Sequence, residues 1–313
     1  MKILITGVHG FVGSNLVKEL SKNNIIYGLD IVAPMKEGVR FTFSWDYLDK
    51  PNEIPEVDAV IHLAGKAHDT KNQSAAEVYF KVNTGLTRKI FDRFLAQKRC
   101  KKFVFFSTAK AAADRVEGVL TEDVVPAPVG PYGESKIKAE EYILSRIGEF
   151  EDSKQVYIFR PCMIHGPGNK GNLNLLYNVV KKGIPWPLGA FENRRTFTSV
   201  ENICFAVNGV LTKDVPSGIY NMGDDEALST NELIEEICKS LGKNAHIWKL
   251  PKGLMNGVAK VGGWLHLPLN PERLRKLTEN YISSNEKIKK ALGVEKMPVD
   301  ARKGLQVTLK SFK

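Results

Sequence analysis

Apolar residues fall into two kinds of run along this chain. Lys2–Thr6, Ile25–Asp30, Ala59–Leu63, Phe103–Thr108 and Gln155–Arg160 are short and apolar at nearly every position, which predicts strands. Phe11–Lys22, Thr84–Gln97 and Gly133–Ile147 carry apolar residues every three or four positions, which predicts helices. Strands apolar on both faces and separated by helices imply a parallel sheet covered on both sides. The expected fold class is α/β, a doubly wound parallel sheet. From about Gly166 the pattern changes. Gly166-Pro167-Gly168 and Gly183–Gly189 read as loops, and helical segments at Thr230–Leu241 and Asn285–Leu292 alternate with irregular ones. A first domain over 1–165 and a smaller lobe over 166–313 are expected, with Phe197–Val210 and Gly218–Met222 returning to the first.

Length and composition narrow this little. A chain of 313 residues, 43% hydrophobic and 26% charged, buries a core large enough to need no staple. Cys100, Cys162, Cys204 and Cys238 show no metal-type spacing and read as buried reduced thiols, as in a cytoplasmic protein. No metal is expected; His62 reads as structural, for want of a second ligand at usable spacing. The N-terminus lacks a secretory pattern, and no stretch is apolar for long enough to insert across a membrane. The net charge of +10 favours anionic partners. The densest basic run, Lys98–Lys102, has no interleaved aromatic residues and reads as a solvated connection, not a nucleic-acid surface.

Several features carry chemistry. Gly7-Val8-His9-Gly10-Phe11-Val12-Gly13 follows a strand and opens a helix. In that context Gly7 makes the tight turn, Gly10 lets backbone approach a pyrophosphate and Gly13 lets the helix pack on the sheet. Phe11 and Val12 belong to the same cofactor loop. Asp30 ends the second strand, where a carboxylate accepts hydrogen bonds from the adenosine ribose, although a turn-forming Asp is the bland alternative. A carboxylate there repels a 2′-phosphate, so NAD is expected over NADP. Asp46 and Tyr47 follow the next expected strand, in reach of the adenine, and Leu63, Ala64 and Gly65 let backbone lie against the cofactor. Finally, Tyr132 and Lys136 are four residues apart on one helix face, the spacing by which an ammonium lowers a phenol's pKa. Such a phenolate is a general base for a sugar or alcohol hydroxyl. Alone the pair is a weak sign, because surface helices carry it by chance; after the glycine loop, the acidic residue and Ser107-Thr108 at the end of a later strand it is a strong one.

Gly7-x-x-Gly10-x-x-Gly13, Asp30, His62-Leu63-Ala64-Gly65, Ser107-Thr108, Tyr132-x-x-x-Lys136, Arg160-Pro161 and His165-Gly166-Pro167-Gly168 resemble the extended short-chain dehydrogenase/reductases, in their nucleotide-sugar epimerase/dehydratase branch. Lys170-Gly171-Asn172, Pro187–Ala190 and Asn193–Asn202 resemble bacterial surface-polysaccharide enzymes, the UDP-sugar 4-epimerases and the 4-ketoreductases among them. The resemblance implies a Rossmann-type NAD-binding domain with a C-terminal substrate-binding lobe, and a UDP-sugar substrate. It implies Tyr132 as catalytic base, Lys136 on the nicotinamide ribose, and Thr108 on the same sugar hydroxyl, with Ser107 beside it. It also implies Asn83 and Pro161 near the nicotinamide, Asn172 and Arg195 on the diphosphate, and Arg273 as a candidate second arginine. Helices Thr84–Gln97 and Gly133–Ile147 resemble the pair that forms the family's dimer interface. A homodimer burying Ile90, Phe94 and Ile143 is therefore expected.

The dehydratases of this branch carry Thr-Asp-Glu, whereas here Thr108 precedes Ala109-Lys110. Without that acid, elimination lacks its proton donor. The expected activity is a C4 epimerase working through a transient 4-keto sugar, in surface polysaccharide synthesis. A 4-ketoreductase consuming NAD(P)H is the alternative, and a dehydratase or a non-catalytic dinucleotide sensor ranks behind both. Ala111-Ala112-Ala113, in place of a Val-Tyr-Gly, leaves the sugar open.

Overall fold

The computed structural model describes residues 1–50, 53–67, 75–149, 153–169, 171–265, 267 and 269–312. In chain order the first half runs β1 (Lys2–Thr6), α1 (Phe11–Leu20), β2 (Ile25–Asp30), β3 (Phe41–Ser44), β4 (Ala59–His62), α2 (Ala76–Tyr79), α3 (Leu86–Ala96), β5 (Lys102–Phe106), α4 (Ala109–Ala112), β6 (Val119–Leu120), α5 (Pro131–Ser145) and β7 (Gln155–Pro161). The second half runs β8 (Met163–His165), α6 (Asn172–Lys181), β9 (Phe197–Ser199), α7 (Val200–Thr212), β10 (Gly218–Met222), α8 (Thr230–Ser240), α9 (Lys252–Trp264), α10 (Pro271–Thr278), β11 (Ile282–Ser283), α11 (Glu286–Leu292) and α12 (Ala301–Lys310).

Among the described residues, seven strands make one parallel sheet in the order β10-β7-β5-β4-β1-β2-β3. This is the Rossmann-type α/β fold the alternating runs predict. The order reverses between β1 and β4, and such a switch point opens a crevice at the carboxyl ends of the strands. Ile3, Ile5 and Phe159 on one face pack against Leu16 of α1 and Ile203 and Val207 of α7. Leu4, Val60, Phe103 and Phe105 on the other pack against Phe91 of α3 and Ala139 of α5. Both faces are buried, which is why the strands read as continuous apolar runs and not as alternation. A separate core in the second half joins α6, α8, α9, α10 and α12 through Tyr177, Ile237, Met255, Leu274 and Leu305.

The structure corrects two expectations. Ile90, Phe94 and Ile143 are at most 2% exposed and lie in the core beneath the sheet, so they are not what a second copy would cover. Helix period tells which residues share a face but not what lies opposite it. The outer faces of α3 and α5 are polar instead. The Arg88 guanidinium sits 4.9 Å from the Tyr142 ring centroid, and the Tyr142 hydroxyl donates to Asp92. The second correction concerns the stretch before α3: helical structure starts at Ala76 and passes through one π-helical turn, Phe80–Gly85, ahead of α3.

The basic run between α3 and β5 binds back to the chain. Arg99 pairs with Asp58 at 2.8 Å, and the Lys102 ammonium donates to the carbonyls of Val210 and Lys213. All four cysteines are buried and unpaired.

Candidate active site

A cleft of about 720 Å³ opens at the carboxyl ends of the strands, between the sheet and the second core. Gly7, Gly10, Phe11, Val12, Gly13, Leu63, Gly65, Ser107, Thr108, Tyr132, Lys136, Pro161, Asn172 and Arg195 all line it. The glycine loop is shaped as the motif requires. Gly7 has φ of +70°, a region side chains disfavour, and a Cβ on Gly13 would sit 2.3 Å from the Gly7 carbonyl oxygen. Gly10 is the N-cap of α1; its own N–H donates to the Gly7 carbonyl at 3.0 Å, and no described side chain caps the first turn that follows, which lines the cleft through Phe11, Val12 and Gly13. The His9 ring Nε2 is buried without a partner among the described residues. An open helix N-terminus behind a glycine turn fits a dinucleotide pyrophosphate.

Asp30 stands beside this loop. Its carboxylate accepts the His9 N–H at 2.9 Å and the Ile31 N–H at 2.7 Å, which fixes it at the end of β2. Ala64 backs the Gly7 turn, where its N–H lies 3.0 Å from the position of a Gly7 Cβ. Asp46 and Tyr47 fall in a short 3₁₀ turn and do not line the cleft; Tyr47 packs edge-on to Phe43 at 5.3 Å. Asn83 is fully buried below the floor. Its amide oxygen accepts the Lys66 N–H at 2.7 Å, while its NH₂ donates to the Lys66 carbonyl and the Ser135 hydroxyl. It shapes the Gly65-Lys66 floor from behind.

Gly130 and Pro131 start α5, so Tyr132 lies in its first turn and Lys136 one turn on. Burial pushes the Tyr132 phenol above its ordinary value, and only the neighbouring Thr108 hydroxyl works the other way. The Lys136 ammonium donates to the Phe106 carbonyl at 2.8 Å and sits 4.9 Å from the Phe105 ring centroid. Burial lowers Lys136 from 10.5 to about 8, with Glu140 opposing. Lys136 is thus bound to the end of β5, one helical turn beyond Tyr132.

Thr108, not Ser107, faces Tyr132. The Ser107 hydroxyl donates instead to Glu140, a buried carboxylate that also holds Arg160 at 2.6 Å. The Glu140–Arg160 pair escaped the sequence reading. Its one available signal is the ladder Tyr132, Lys136, Glu140, spaced by four along α5.

On the other wall, Asn172 opens α6, and Arg195 Nη1 donates to the Lys276 carbonyl at the end of α10. Burial works against the Arg195 charge and Glu279 supports it. Arg273 is exposed on the first turn of α10, outside the residues lining the cleft. Lys170 lies outside the described residues. Ala111–Ala113 is buried, and the wall beside it is Tyr281, whose hydroxyl donates to the Ala113 carbonyl at 2.9 Å. The Lys110 ammonium lies 4.6 Å from the Tyr281 ring centroid and donates to the Asp114 carbonyl at 2.6 Å.

Residues 3–223 match the NAD dependent epimerase/dehydratase family. The chain belongs to that family, and its cofactor is NAD. It is 32% identical to a UDP-glucose 4-epimerase of Vibrio cholerae over 80% of its own length and 78% of that protein's. It is 27% identical to an N-acetyl-α-D-glucosaminyl-diphospho-ditrans,octacis-undecaprenol 4-epimerase of Escherichia coli O157:H7, over 92% of this chain and 84% of that one. Among solved structures, a UDP-glucuronic acid 4-epimerase from Bacillus cereus in complex with NAD superposes with a TM-score of 0.76 at 21% identity, covering 100% of this chain and 98% of that one.

Proposed function

We propose that the protein epimerises C4 of a UDP-linked sugar, with residues 1–165, joined by α7 and β10, holding NAD and the rest of 166–313 holding the sugar nucleotide. The observation that carries this is the placing of Tyr132 and Thr108 together at the end of β5, on the wall of one cleft with the glycine loop and Arg195. The Vibrio relative supports the UDP-sugar, and the lysine at 110 in place of an acid weighs against elimination.

NAD supplies a hydride acceptor and donor. Tyr132 removes the C4 hydroxyl proton, and Thr108 hydrogen-bonds the same oxygen and holds it in line. Lys136, anchored on Phe106, positions the nicotinamide ribose. Asn172 and Arg195 retain the diphosphate, Arg195 as a charged fork. A 4-keto sugar, its C4 hydride given up to the bound cofactor, would turn over in the cleft and regain that hydride on its other face, with Tyr132 returning the proton to the C4 oxygen. No net oxidant is consumed. The reading places the enzyme in cytoplasmic synthesis of a surface glycan, as a homodimer paired through the outer faces of α3 and α5.

The test is incubation of the purified protein and NAD with a panel of UDP-sugars, followed by NMR of the products. Interconversion of C4 epimers without net change in reduced nicotinamide is expected. Net consumption of NAD(P)H on a 4-keto sugar, with no interconversion, would make it a reductase. Light scattering that gives a monomer mass would remove the dimer.

A further inference from the structure

Helix α9 is apolar on two sides, and the fold uses only one. Met255, Ala259 and Gly262 face the second core. Leu254, Val258, Val261 and Leu265 form a second stripe at helical spacing, each 46–55% exposed, and Trp264 at its end is 80% exposed. Scattered exposed apolar residues need no explanation, but a contiguous stripe ending in a tryptophan does.

The charge around the stripe identifies what suits it. Between Glu236 and Glu272 the sequence contains Lys239, Lys243, Lys249, Lys252 and Lys260 and no acidic residue. All five lysines are exposed; Lys252 and Lys260 lie on α9 itself, Lys252 with its ammonium 5.7 Å from the Phe191 ring centroid, while Lys239 belongs to α8 and Lys243 donates to the Lys181 carbonyl. Glu272, the first acid beyond, is paired with Lys276 at 2.6 Å. We propose that α9, with Leu265 at its end, docks on the surface of an anionic lipid bilayer, the apolar stripe entering the headgroup region and the lysines beside it meeting the phosphates. An apolar helix face with Trp and flanking lysines is the make-up of an interfacial helix. An isologous contact with a second copy would bring the lysines of the two faces together, which disfavours that occupant.

The docking face shares its scaffold with the cleft. Gly262 of α9 lies against the Leu269 carbonyl at the approach to α10, where a Cβ would come within 2.0 Å of the oxygen. The far end of α10 supplies the Lys276 carbonyl that holds Arg195. A bilayer under α9 therefore sets the orientation of the cleft wall relative to the membrane.

The full-length protein should co-sediment with phosphatidylcholine vesicles containing phosphatidylglycerol and not with phosphatidylcholine alone. High salt should release it, since the lysine contribution is screened. Val258→Glu with Val261→Glu should lower vesicle binding at least tenfold while leaving melting temperature and NAD affinity unchanged, both side chains being exposed. Lys260→Gln should lower it roughly fivefold, as expected for one lysine at an anionic surface. Lys98→Gln, on the other lobe, should have no effect. Equal binding to neutral vesicles, or undiminished binding of the double variant, would overturn the proposal. So would the absence of vesicle binding together with a dimer that the double variant dissociates, which would make α9 a contact between chains.

Discussion

Arg160 and Glu140 meet at 2.6 Å in the interior, with 1% and 0% of their side chains exposed. Arg160 Nε adds contacts of 3.1 Å to both carboxylate oxygens, and Ser107 donates to the same group. The pair ties α5, which carries Tyr132 and Lys136, to β7 next to Pro161. Arg160 Nη1 has no partner among the described residues, so the carboxylate is the guanidinium's main compensation.

Removing one partner leaves a buried charge uncompensated. Glu140→Leu should destabilise the protein by about 3–5 kcal/mol. The double change Glu140→Leu with Arg160→Met should recover part of that loss, because neither charge then remains. Urea unfolding of the two single variants and the double variant forms the cycle that measures it. Losses that simply add would mean the pair is not coupled.

Tyr132→Phe removes one oxygen and should leave the fold and NAD affinity intact. Its kcat should fall roughly 10²–10⁴-fold, the usual size of a general-base contribution. Thr108→Ser should keep much of the activity and Thr108→Val should not. Burial holds the Tyr132 phenol protonated at neutral pH in the free protein. Binding of the cationic nicotinamide should lower its pKa, because a nearby positive charge favours phenolate. Ultraviolet titration of tyrosinate with and without NAD, with Tyr132→Phe as the blank, reads the shift. Near-normal turnover of Tyr132→Phe on the true substrate would assign the base elsewhere.

Lys136 predicts a pH dependence of stability. Its folded value of about 8 lies below the ordinary 10.5, so between those pH values the unfolded chain holds more protons. Stability attributable to this group therefore rises with pH across that window, and the cost of burying its charge is fully present below it. The stability of wild type minus that of Lys136→Met should increase from pH 8 to 10.5, by at most about 3 kcal/mol. Denaturant midpoints of both proteins across the range check this, and a flat difference would refute it. Lys136→Met should also weaken NAD binding.

Asp30 should make NAD the tighter ligand over NADP, since its anchored carboxylate would face the extra phosphate. Asp30→Ala should weaken NAD by roughly tenfold to a hundredfold, the size of charge-assisted hydrogen bonds, and should narrow the preference. Calorimetric titration with both dinucleotides measures it. Equal affinities in the wild type would contradict this role.

The glycine loop, β1, β2 and the Tyr132–Lys136 pair were legible because each is a local pattern. Gly7 to Gly13 needs only a strand before it and a helix after. Asn83 illustrates the opposite case. Its hydrogen bonds run to Lys66 and Ser135, partners that only the folded chain brings together. Arg160 and Glu140 are likewise separated by a loop and a strand. Helix α9 was hidden for a different reason. Gly253, Gly257, Gly262 and Gly263 lower its helix propensity, and its exposed stripe is indistinguishable in sequence from a buried one.

The last strand of the sheet reaches it late. β10 pairs with β7 only after the chain has left for the second lobe, formed α6 and β9, and returned through α7. During synthesis the ribosome therefore carries a sheet whose Phe159 face lacks Ile203 and Val207 until α7 has emerged, and whose β7 edge stays unpaired until residues near 222 follow. Such an edge is the kind that sticks to other chains and recruits chaperones. A nascent chain stalled at residue 165 should bind chaperones and resist refolding, whereas one stalled well beyond residue 222 should already protect β7 from proteolysis.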